Sequence, residues 1–204
     1  MNLSAFRIAS IAVVAILATV LIAWQFGFLS PNGRRTEAPG NAKIGGPFEL
    51  LDHNGNLRNH SDFRGRFMLI YFGYSYCPDV CPTALQVMSN ALQLLGKQAK
   101  NVQPIFITVD PKRDTSAHLK DYVKNFYPGM VALTGTEDLI KDAAKNYRIY
   151  YAKASQDKTK SNSDDYLVDH SSIVFLMGRN GKYITHFNHQ TSADVMAKII
   201  SKQL

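Results

Sequence analysis

The chain begins with a long apolar segment. No ionisable residue occurs between Ile8 and Gly33, and residues 8–24, IASIAVVAILATVLIAW, are almost wholly apolar. Extended to Leu29, the segment is long enough to cross a hydrocarbon core of about 30 Å, which takes about 20 helical residues. A cleaved signal peptide is the alternative, but its apolar region is usually only about 7–15 residues long. The pattern therefore predicts that residues 1–33 form an uncleaved, single-pass transmembrane helix as a membrane anchor.

A polar stretch separates this segment from the rest of the chain. Residues 34–46, RRTEAPGNAKIGG, are predicted to be a linker, and residues 47–204 a single domain without internal repeats. Arg34 and Arg35 oppose export under the positive-inside rule, but long domains translocate largely regardless of charge. We therefore expect the domain to lie in the periplasm of a bacterial inner membrane or in an equivalent compartment.

The domain alternates short apolar runs with amphipathic segments. Continuous apolar runs are typical of strands buried on both faces, and apolar residues three or four apart are typical of helices. Glycine-containing turns at Asn54-Gly55 and at residues 178–181 predict two hairpins, the first within residues 47–59. The other predicted strands are residues 67–72, 105–109 and 131–133, and the second hairpin pairs 173–177 with 183–187; the predicted helices are residues 82–97, 114–127, 136–147 and 193–202. This order predicts an α/β fold with a mixed sheet flanked by helices.

Composition narrows the choice of function. Hydrophobic residues make up 46 % of the chain and charged residues 19 %, which excludes a disordered protein. The net charge of +7 is spread along the chain and favours acidic partner surfaces or lipid headgroups over nucleic acid. The aromatic run YRIYY at residues 147–151 lacks the dense basic patch that nucleic-acid stacking sites carry, so we expect no nucleic-acid partner. A polar stretch at residues 153–165 is expected to form a surface loop.

The chain has two cysteines, Cys77 and Cys81, which directly follow a predicted central strand. This is the placement of the cysteine pair in thioredoxin-like proteins. Each precedes a proline, which disfavours helical backbone at the cysteine, so the helix is predicted to begin at Pro82 with Cys81 at or near its N-cap. A helix N-terminus stabilises a thiolate and lowers thiol pKa values, whereas a neighbouring carboxylate such as Asp79 raises them.

The residues alone leave several interpretations of this pair open. It is a redox-active disulfide of a thiol oxidoreductase, a pair of thiolates for a thiophilic metal such as Cu(I), or a structural disulfide. A structural disulfide is the least favoured, because a loop of three intervening residues gives little chain-entropy stabilisation. A peroxiredoxin-like peroxidase is a further alternative. No phosphate loop, carboxylate dyad or Ser/His/Asp arrangement is readable, so a turnover enzyme is not expected.

A third metal ligand would come from one of six histidines. His170 lies between the polar loop and a predicted buried strand, and in a thioredoxin-like sheet that strand end lies near the cysteine loop. Imidazole binds both Cu(I) and Cu(II), whereas zinc is disfavoured because a closed zinc site needs a fourth ligand. The other histidines are expected at the surface or near the hairpins: His53, His60, His118, His186 and His189.

Three motifs occur together in the domain. They are YFGY with CPDVCP (residues 71–74 and 77–82), TVDPKRDT (residues 108–115) and VDHS (residues 168–171). With them the chain resembles the Sco/SenC family of membrane-tethered copper-binding proteins with a thioredoxin-like fold, from about residue 44 to its end. The resemblance implies that Cys77, Cys81 and His170 bind copper, as Cu(I) and also as Cu(II), and that the protein helps to assemble the copper site of cytochrome c oxidase.

We therefore predict a membrane-tethered copper chaperone. Its expected partners are the copper-bearing subunit of cytochrome c oxidase and a thiol reductant of the cysteine pair. The alternative is a tethered thiol–disulfide oxidoreductase whose redox-active pair, Cys77 and Cys81, acts on cysteines of a copper protein; both roles can coexist, because copper loading needs reduced thiols. Two smaller questions stay open: whether residues 110–114 dock a partner or form a turn and helix cap, and whether Tyr71, Tyr74 and Tyr76 shield a metal or belong to the core.

Overall fold

A computed structural model of the chain describes residues 16–21, 43–154 and 166–204. The chain divides into two compact units, residues 1–42 and residues 43–204. In the first unit residues 16–21 are helical, and the rest of the predicted anchor lies outside the described residues, as do most of the predicted linker and residues 155–165 of the predicted loop. Among the residues described, no helix combines the length and the apolarity that crossing a membrane requires.

The second unit is built from strands and helices that alternate along the chain. The strands are β1 (Glu49–Asp52), β2 (Leu57–Asn59), β3 (Phe67–Gly73), β4 (Val102–Thr108), β5 (Val131–Thr134), β6 (Tyr151–Lys153), β7 (Val168–His170), β8 (Ile173–Met177) and β9 (Tyr183–Asn188). The α-helices are α1 (Val80–Leu95), α2 (Ser116–Tyr122), α3 (Glu137–Asn146) and α4 (Ala193–Ser201). Short 3₁₀ helices at His60–Phe63, Gly96–Asn101 and Val123–Asn125 complete the connections.

Seven strands form one mixed sheet in the order β2-β1-β5-β4-β3-β8-β9. The central strands β3, β4 and β5 are parallel, and the other neighbouring pairs are antiparallel. Parallel neighbours need a crossover connection, which α1 supplies between β3 and β4 and α2 supplies between β4 and β5. The sequence therefore predicted the mixed sheet correctly.

The core lies around β3 and β4, in which every residue is buried. Their nearly continuous apolar sequences, FMLIYFG and VQPIFIT, match strands covered on both faces. Helices α1 and α4 pack against each other, α2 packs against β5, and α3 packs against β1. The buried face of α1 carries the predicted apolar residues Leu85, Met88, Leu92 and Leu95. Because β3 and β4 are held this firmly, the loops at their carboxyl ends start from fixed points.

Both predicted hairpins are present. Gly55 has a φ of +84° between β1 and β2, and Gly181 has a φ of +77° between β8 and β9. Only glycine adopts such angles at little cost, which explains its place in both turns. In the first turn the Asp52 carboxylate accepts the backbone N–H groups of Asn54 and Asn56 at 2.8 and 3.0 Å.

The predicted start of the first long helix was wrong. Helix α1 begins at Val80 with Asp79 as its N-cap, so Cys81 lies inside the first turn and not at the cap. Proline is tolerated directly after Cys81 because the first-turn N–H groups have no intrahelical acceptor. The helix predicted over residues 114–127 is shorter, since α2 ends at Tyr122 and Thr115 caps it by accepting the N–H of His118 at 3.2 Å.

A small second sheet was not predicted from the sequence. Strands β6 and β7 pair antiparallel outside the main sheet, with Tyr151 opposite His170. Each strand has only three residues, which is too short for the period-two pattern to be recognised. This pairing matters because it carries one of the predicted ligands.

Candidate metal centre

Three chain segments converge beyond the carboxyl end of β3. Cys77 lies in the loop after β3, Cys81 in the first turn of α1, and His170 at the end of β7. The Cys77 N–H donates to the carbonyl oxygen of Tyr74 at 3.3 Å and tightens the loop. The expectation that the chain just before β8 lies near the cysteine loop is therefore confirmed.

The three side chains form a compact donor set. The two sulfur atoms and an imidazole nitrogen all lie within 4.8 Å of one another. His170 Nε2 is 3.2 Å from the Cys81 Sγ, and the Cys81 N–H donates to the Cys77 Sγ at 3.4 Å. Cys81 is fully buried, whereas Cys77 and His170 are partly exposed, and both cysteines are free thiols. No other group of three His, Cys, Asp or Glu side chains in residues 16–21, 43–154 and 166–204 has this spacing.

The orientation of the imidazole suits ligation. His170 Nδ1 lies 3.3 Å from the carbonyl oxygen of Ser171. In the tautomer that this contact favours, the Nδ1–H donates to the carbonyl and the lone pair of Nε2 points towards the sulfurs. Such a hydrogen bond on the distal nitrogen is the usual arrangement of a ligating histidine.

Two buried tyrosines surround the imidazole. The rings of Tyr71 and Tyr74 lie edge-on to His170, with centroid distances of 6.1 and 5.8 Å. The Tyr71 hydroxyl donates to the Cys81 Sγ at 3.7 Å and lies 3.3 Å from the Ser172 hydroxyl oxygen. Both tyrosines belong to the core and also exclude water from the inner side of the site, whereas Tyr76 is half exposed.

Gly73 makes the close approach of Cys81 to the sheet possible. A Cβ atom at this position would lie 2.8 Å from the Cys81 Sγ and 2.8 Å from the ring of Tyr71. Both neighbours are buried side chains in a packed core, so neither has room to retreat. The YFGY motif therefore has a steric function, which the sequence alone did not reveal.

The two thiols have opposite pKa shifts. The pKa of Cys77 is lowered, chiefly because the Cys81 thiol donates to its thiolate and further because backbone N–H groups stabilise the charge. The pKa of Cys81 is raised, because its proton is engaged by Cys77 and because burial disfavours its thiolate. The expected lowering is thus confirmed for Cys77 and wrong for Cys81. Burial likewise raises the pKa of Tyr71.

The backbone of Asp79 also contributes to this pKa shift. The contribution of Asp79 to Cys77 is a backbone N–H hydrogen bond, which lowers the pKa of the thiol. The Asp79 carboxylate turns towards the helix, where it accepts the Thr83 hydroxyl at 3.4 Å. The backbone of Asp79 therefore favours the Cys77 thiolate.

The other histidines have contacts of their own away from the three donors. His53 accepts the N–H of Ala132, His60 packs on Phe48, His118 contacts the Ser75 hydroxyl, and His186 contacts the Tyr183 hydroxyl. His189 lines a cavity of about 180 Å³ beside the cysteine loop, whose walls also include Asp79, Val80 and Ser172.

The segment at residues 110–115 forms a turn and helix cap. The N–H groups of Arg113 and Asp114 donate to the carbonyl oxygen of Asp110 at 3.2 and 3.0 Å, and Thr115 caps α2. Asp110 and Asp114 are buried. The interpretation of this segment as a turn and helix cap is therefore confirmed. Its side chains also make further contacts with the site.

Comparison with known proteins identifies the family. The sequence model of the SCO1/SenC family matches residues 36–204. The chain belongs to the SCO1/SenC family. It is 44 % identical to the SCO2-like protein RP587 of Rickettsia prowazekii over 161 residues, which cover 79 % of this chain and 77 % of that relative.

Solved structures of SCO1/SenC proteins have the same thioredoxin-like α/β fold. The structure of Bradyrhizobium japonicum ScoI with copper bound is 38 % identical and has a TM-score of 0.71, covering 79 % of this chain and 99 % of that one. Yeast Sco1 with copper bound is also 38 % identical with a TM-score of 0.71, covering 78 % and 87 % of the two chains. The predicted family and the predicted thioredoxin-like fold of the domain are confirmed.

Proposed function

We propose that Cys77, Cys81 and His170 bind copper and that this SCO1/SenC protein is a membrane-tethered copper chaperone. The single observation that carries the proposal is the convergence of two sulfurs and one imidazole nitrogen within 4.8 Å from three separate segments. Copper-bound relatives with 38 % identity support the same choice of metal. By resemblance to its family, the protein delivers copper to, or prepares thiols for, the copper-bearing subunit of cytochrome c oxidase.

The donor chemistry favours copper. Thiolates select soft Cu(I), and imidazole accepts both Cu(I) and Cu(II). Two thiolates and a neutral imidazole give a Cu(I) site a net charge of −1, which the N-terminus of α1 stabilises. A closed zinc site needs a fourth protein ligand, and none joins the three donors among residues 43–154 and 166–204.

The exposure of the site suits transfer of the metal. Cys81 anchors the buried side, while Cys77 and His170 are partly open to solvent. An incoming thiolate of a partner can therefore approach at Cys77 and replace ligands stepwise without the domain unfolding. His170 lies on a hairpin separate from the cysteine loop, so its departure leaves the two sulfurs in place.

The proposed organisation follows the sequence. Residues 1–33 anchor the protein, residues 34–46 link it to residues 47–204, and that domain lies in the periplasm or an equivalent compartment. A reporter that is active only outside the cytoplasm, fused after residue 204, is expected to be active. Activity of a cytoplasm-only reporter in the same position would contradict the proposed orientation.

Copper binding is tested on the full chain in detergent by Cu(I) competition with a chromophoric chelator. His170→Ala is expected to weaken copper binding while disulfide exchange persists. His186→Ala is the matched control, because His186 is exposed and contacts Tyr183 away from the sulfurs. Unchanged affinity in the His170 variant would refute the three-ligand site.

One observation favours the alternative activity as a thiol–disulfide oxidoreductase. Cys77 is the accessible thiol with the lowered pKa, and Cys81 is the buried thiol that holds its proton. The attacking and the resolving cysteine of a thiol–disulfide oxidoreductase differ in the same way. The Cys77 thiolate would attack a target disulfide and release one target thiolate; Cys81 would then lose its proton, bond to Cys77 and release the second.

The net reaction moves two electrons from the cysteine pair to the target, so a separate thiol reductant must regenerate the pair. The two functions are separable by experiment. A reduced protein that binds no Cu(I) but reduces a target disulfide would leave only the oxidoreductase role, whereas Cu(I) binding lost with His170→Ala supports the chaperone role.

A further inference from the structure

The loop between β4 and α2 contacts both arms of the candidate metal centre. The Cys77 arm is the chain that leads to Cys77, residues 74–76, and the His170 arm is the chain that leads to His170, residues 166–169. Side chains of Asp110, Arg113 and Asp114 reach them from the carboxyl end of β4. Metal binding by Cys77, Cys81 and His170 does not by itself require these contacts.

Asp114 and Arg113 hold the arm before Cys77. The Asp114 carboxylate accepts the backbone N–H of Ser75 at 3.0 Å and also the Ser75 hydroxyl. The Arg113 guanidinium lies 4.7 Å from the centroid of the Tyr76 ring, and the imidazole of His118 stacks on the same ring at 5.1 Å. The two residues before Cys77 are thus fixed from one side by a single short segment.

Arg113 and Asp110 hold the arm before His170. The Tyr166 hydroxyl donates to the Asp110 carboxylate at 2.7 Å, and the Arg113 guanidinium lies 3.7 Å from the centroid of the Tyr166 ring. Two residues further along, the N–H of Val168 donates to the Tyr74 hydroxyl at 3.2 Å. Tyr74 in turn packs edge-on against the imidazole of His170.

Of Asp110, Arg113 and Asp114, Arg113 is the one whose side chain contacts both arms. Its guanidinium lies over the rings of Tyr74, Tyr76 and Tyr166, at 5.6, 4.7 and 3.7 Å from their centroids. The side chain is only 10 % exposed and is paired with the Asp110 carboxylate. Burying a cation costs free energy. The position of the Arg113 guanidinium among three tyrosine rings that border the site therefore indicates a function.

We propose that Arg113 is a positioning residue for the candidate copper site, where it joins the Cys77 arm to the His170 arm and holds the imidazole against the two sulfurs. The inference rests on the proposed copper binding. A planar guanidinium stacks on several rings at once, which the ammonium group of lysine does not do. Cys81 is held by α1 and the core, so the loss of Arg113 affects the imidazole more than the buried sulfur.

The first test needs no metal. In the copper-free full chain, labelled at histidine, the imidazole resonances of His170 carry ring-current shifts from Tyr71 and Tyr74. Arg113→Met is expected to move the His170 resonances towards those of an exposed histidine and to leave His186 unchanged. Loss of dispersion at all histidines would indicate unfolding; in that case Arg113→Lys, which keeps a cation beside Asp110 but does not stack on several rings, tests the same shift of the His170 resonances.

The second test uses Cu(I) affinity. Arg113→Met is expected to weaken binding by about 10-fold or more, as the loss of contacts that orient a ligand usually does. Arg113→Lys is expected to retain only part of the wild-type Cu(I) affinity. In the double variant with His170→Ala, the Arg113 change is expected to add no further loss, because it acts through the imidazole. Arg179→Met is the matched control, since Arg179 lies 5.2 Å over the Phe67 ring at the far end of β3.

These outcomes separate the two proposals. Failure of the wild-type chain to bind Cu(I) would refute the proposed function, while the copper-free spectra would still decide the role of Arg113. Wild-type affinity together with unshifted His170 resonances in Arg113→Met would overturn the positioning role. Additive losses in the double variant would do the same, because they would show that Arg113 acts independently of His170.

Discussion

The two regions that supply the donors differ in how the fold supports them. Cys81 lies in the first turn of a sixteen-residue helix, directly above the fully buried strand β3. His170 ends a three-residue strand whose sheet has one other strand, β6. The sulfur side is therefore an extension of the core, whereas the imidazole side depends on a small hairpin and on aromatic contacts. A site that must hold a metal and later release it benefits from one fixed side and one weakly supported side.

The largest effect is expected from Cys81→Ala. The change removes the buried anchor of the site, and since loss of a contact that only orients a ligand costs about 10–100-fold, loss of the ligand itself should exceed about 100-fold in Cu(I) affinity. Chelator competition measures this. A variant that still binds Cu(I) like the wild type would show that the fixed side is not at Cys81.

Gly73→Ala is expected to disturb the same side without removing a donor. The added methyl group would meet the Cys81 Sγ and the Tyr71 ring at 2.8 Å, and overpacking of this kind costs about 1–3 kcal/mol. Denaturant unfolding should show reduced stability, and Cu(I) affinity should fall with it. Gly65→Ala is the comparison variant, because Gly65 has open space around its Cβ position although its φ of +86° adds backbone strain.

Ala154→Pro tests the weakly supported side. The Ala154 N–H donates to the Leu167 carbonyl oxygen at 2.9 Å and closes the β6–β7 pair, and proline removes that donor. Cu(I) affinity is expected to fall by up to about 10-fold, with global stability nearly unchanged. Ala154→Val keeps the N–H and should behave like the wild type. A large loss of global stability would show that the small sheet belongs to the cooperative core.

The smallest effect is expected from pH. Because the pKa of Cys77 lies below that of an ordinary thiol, Cys77 is already a thiolate below pH 7, and its alkylation rate should stay nearly constant as pH rises towards 9. The rate for an unperturbed cysteine rises steeply over that interval. Alkylation followed by mass spectrometry should label Cys77 well before Cys81, whose thiol is buried and has a raised pKa. Equal labelling would contradict the assigned roles.

Patterns in the sequence predicted the main sheet because its strands are long and uniformly apolar. FMLIYF and IFITV each identified a central strand, and the turns at Gly55 and Gly181 fixed both hairpins. The end of each element was less predictable, because backbone hydrogen bonds decide it and residue type decides it only weakly. Helix α1 thus begins two residues before the proline that was expected to start it.

The donor residues could be named from the sequence, but their surroundings could not. Cys77, Cys81 and His170 were recognised from residue types and motifs, and the structure brings them together. The opposite pKa shifts of the thiols come from a hydrogen bond between them and from burial, both of which depend on three-dimensional placement. The aromatic contacts of Arg113 join segments more than fifty residues apart in sequence, which no local pattern reveals.

The proton of the buried Cys81 thiol also affects the lifetime of a mixed disulfide between Cys77 and another protein. Once Cys77 has bonded to a sulfur of another protein, it no longer accepts the Cys81 proton, but release still requires Cys81 to lose that proton in a buried position that disfavours its anion. The linked pair of proteins should therefore have a long lifetime near neutral pH. Such a covalent complex would persist long enough to be isolated by rapid acid quenching, and the protein attached to Cys77 would be its physiological client.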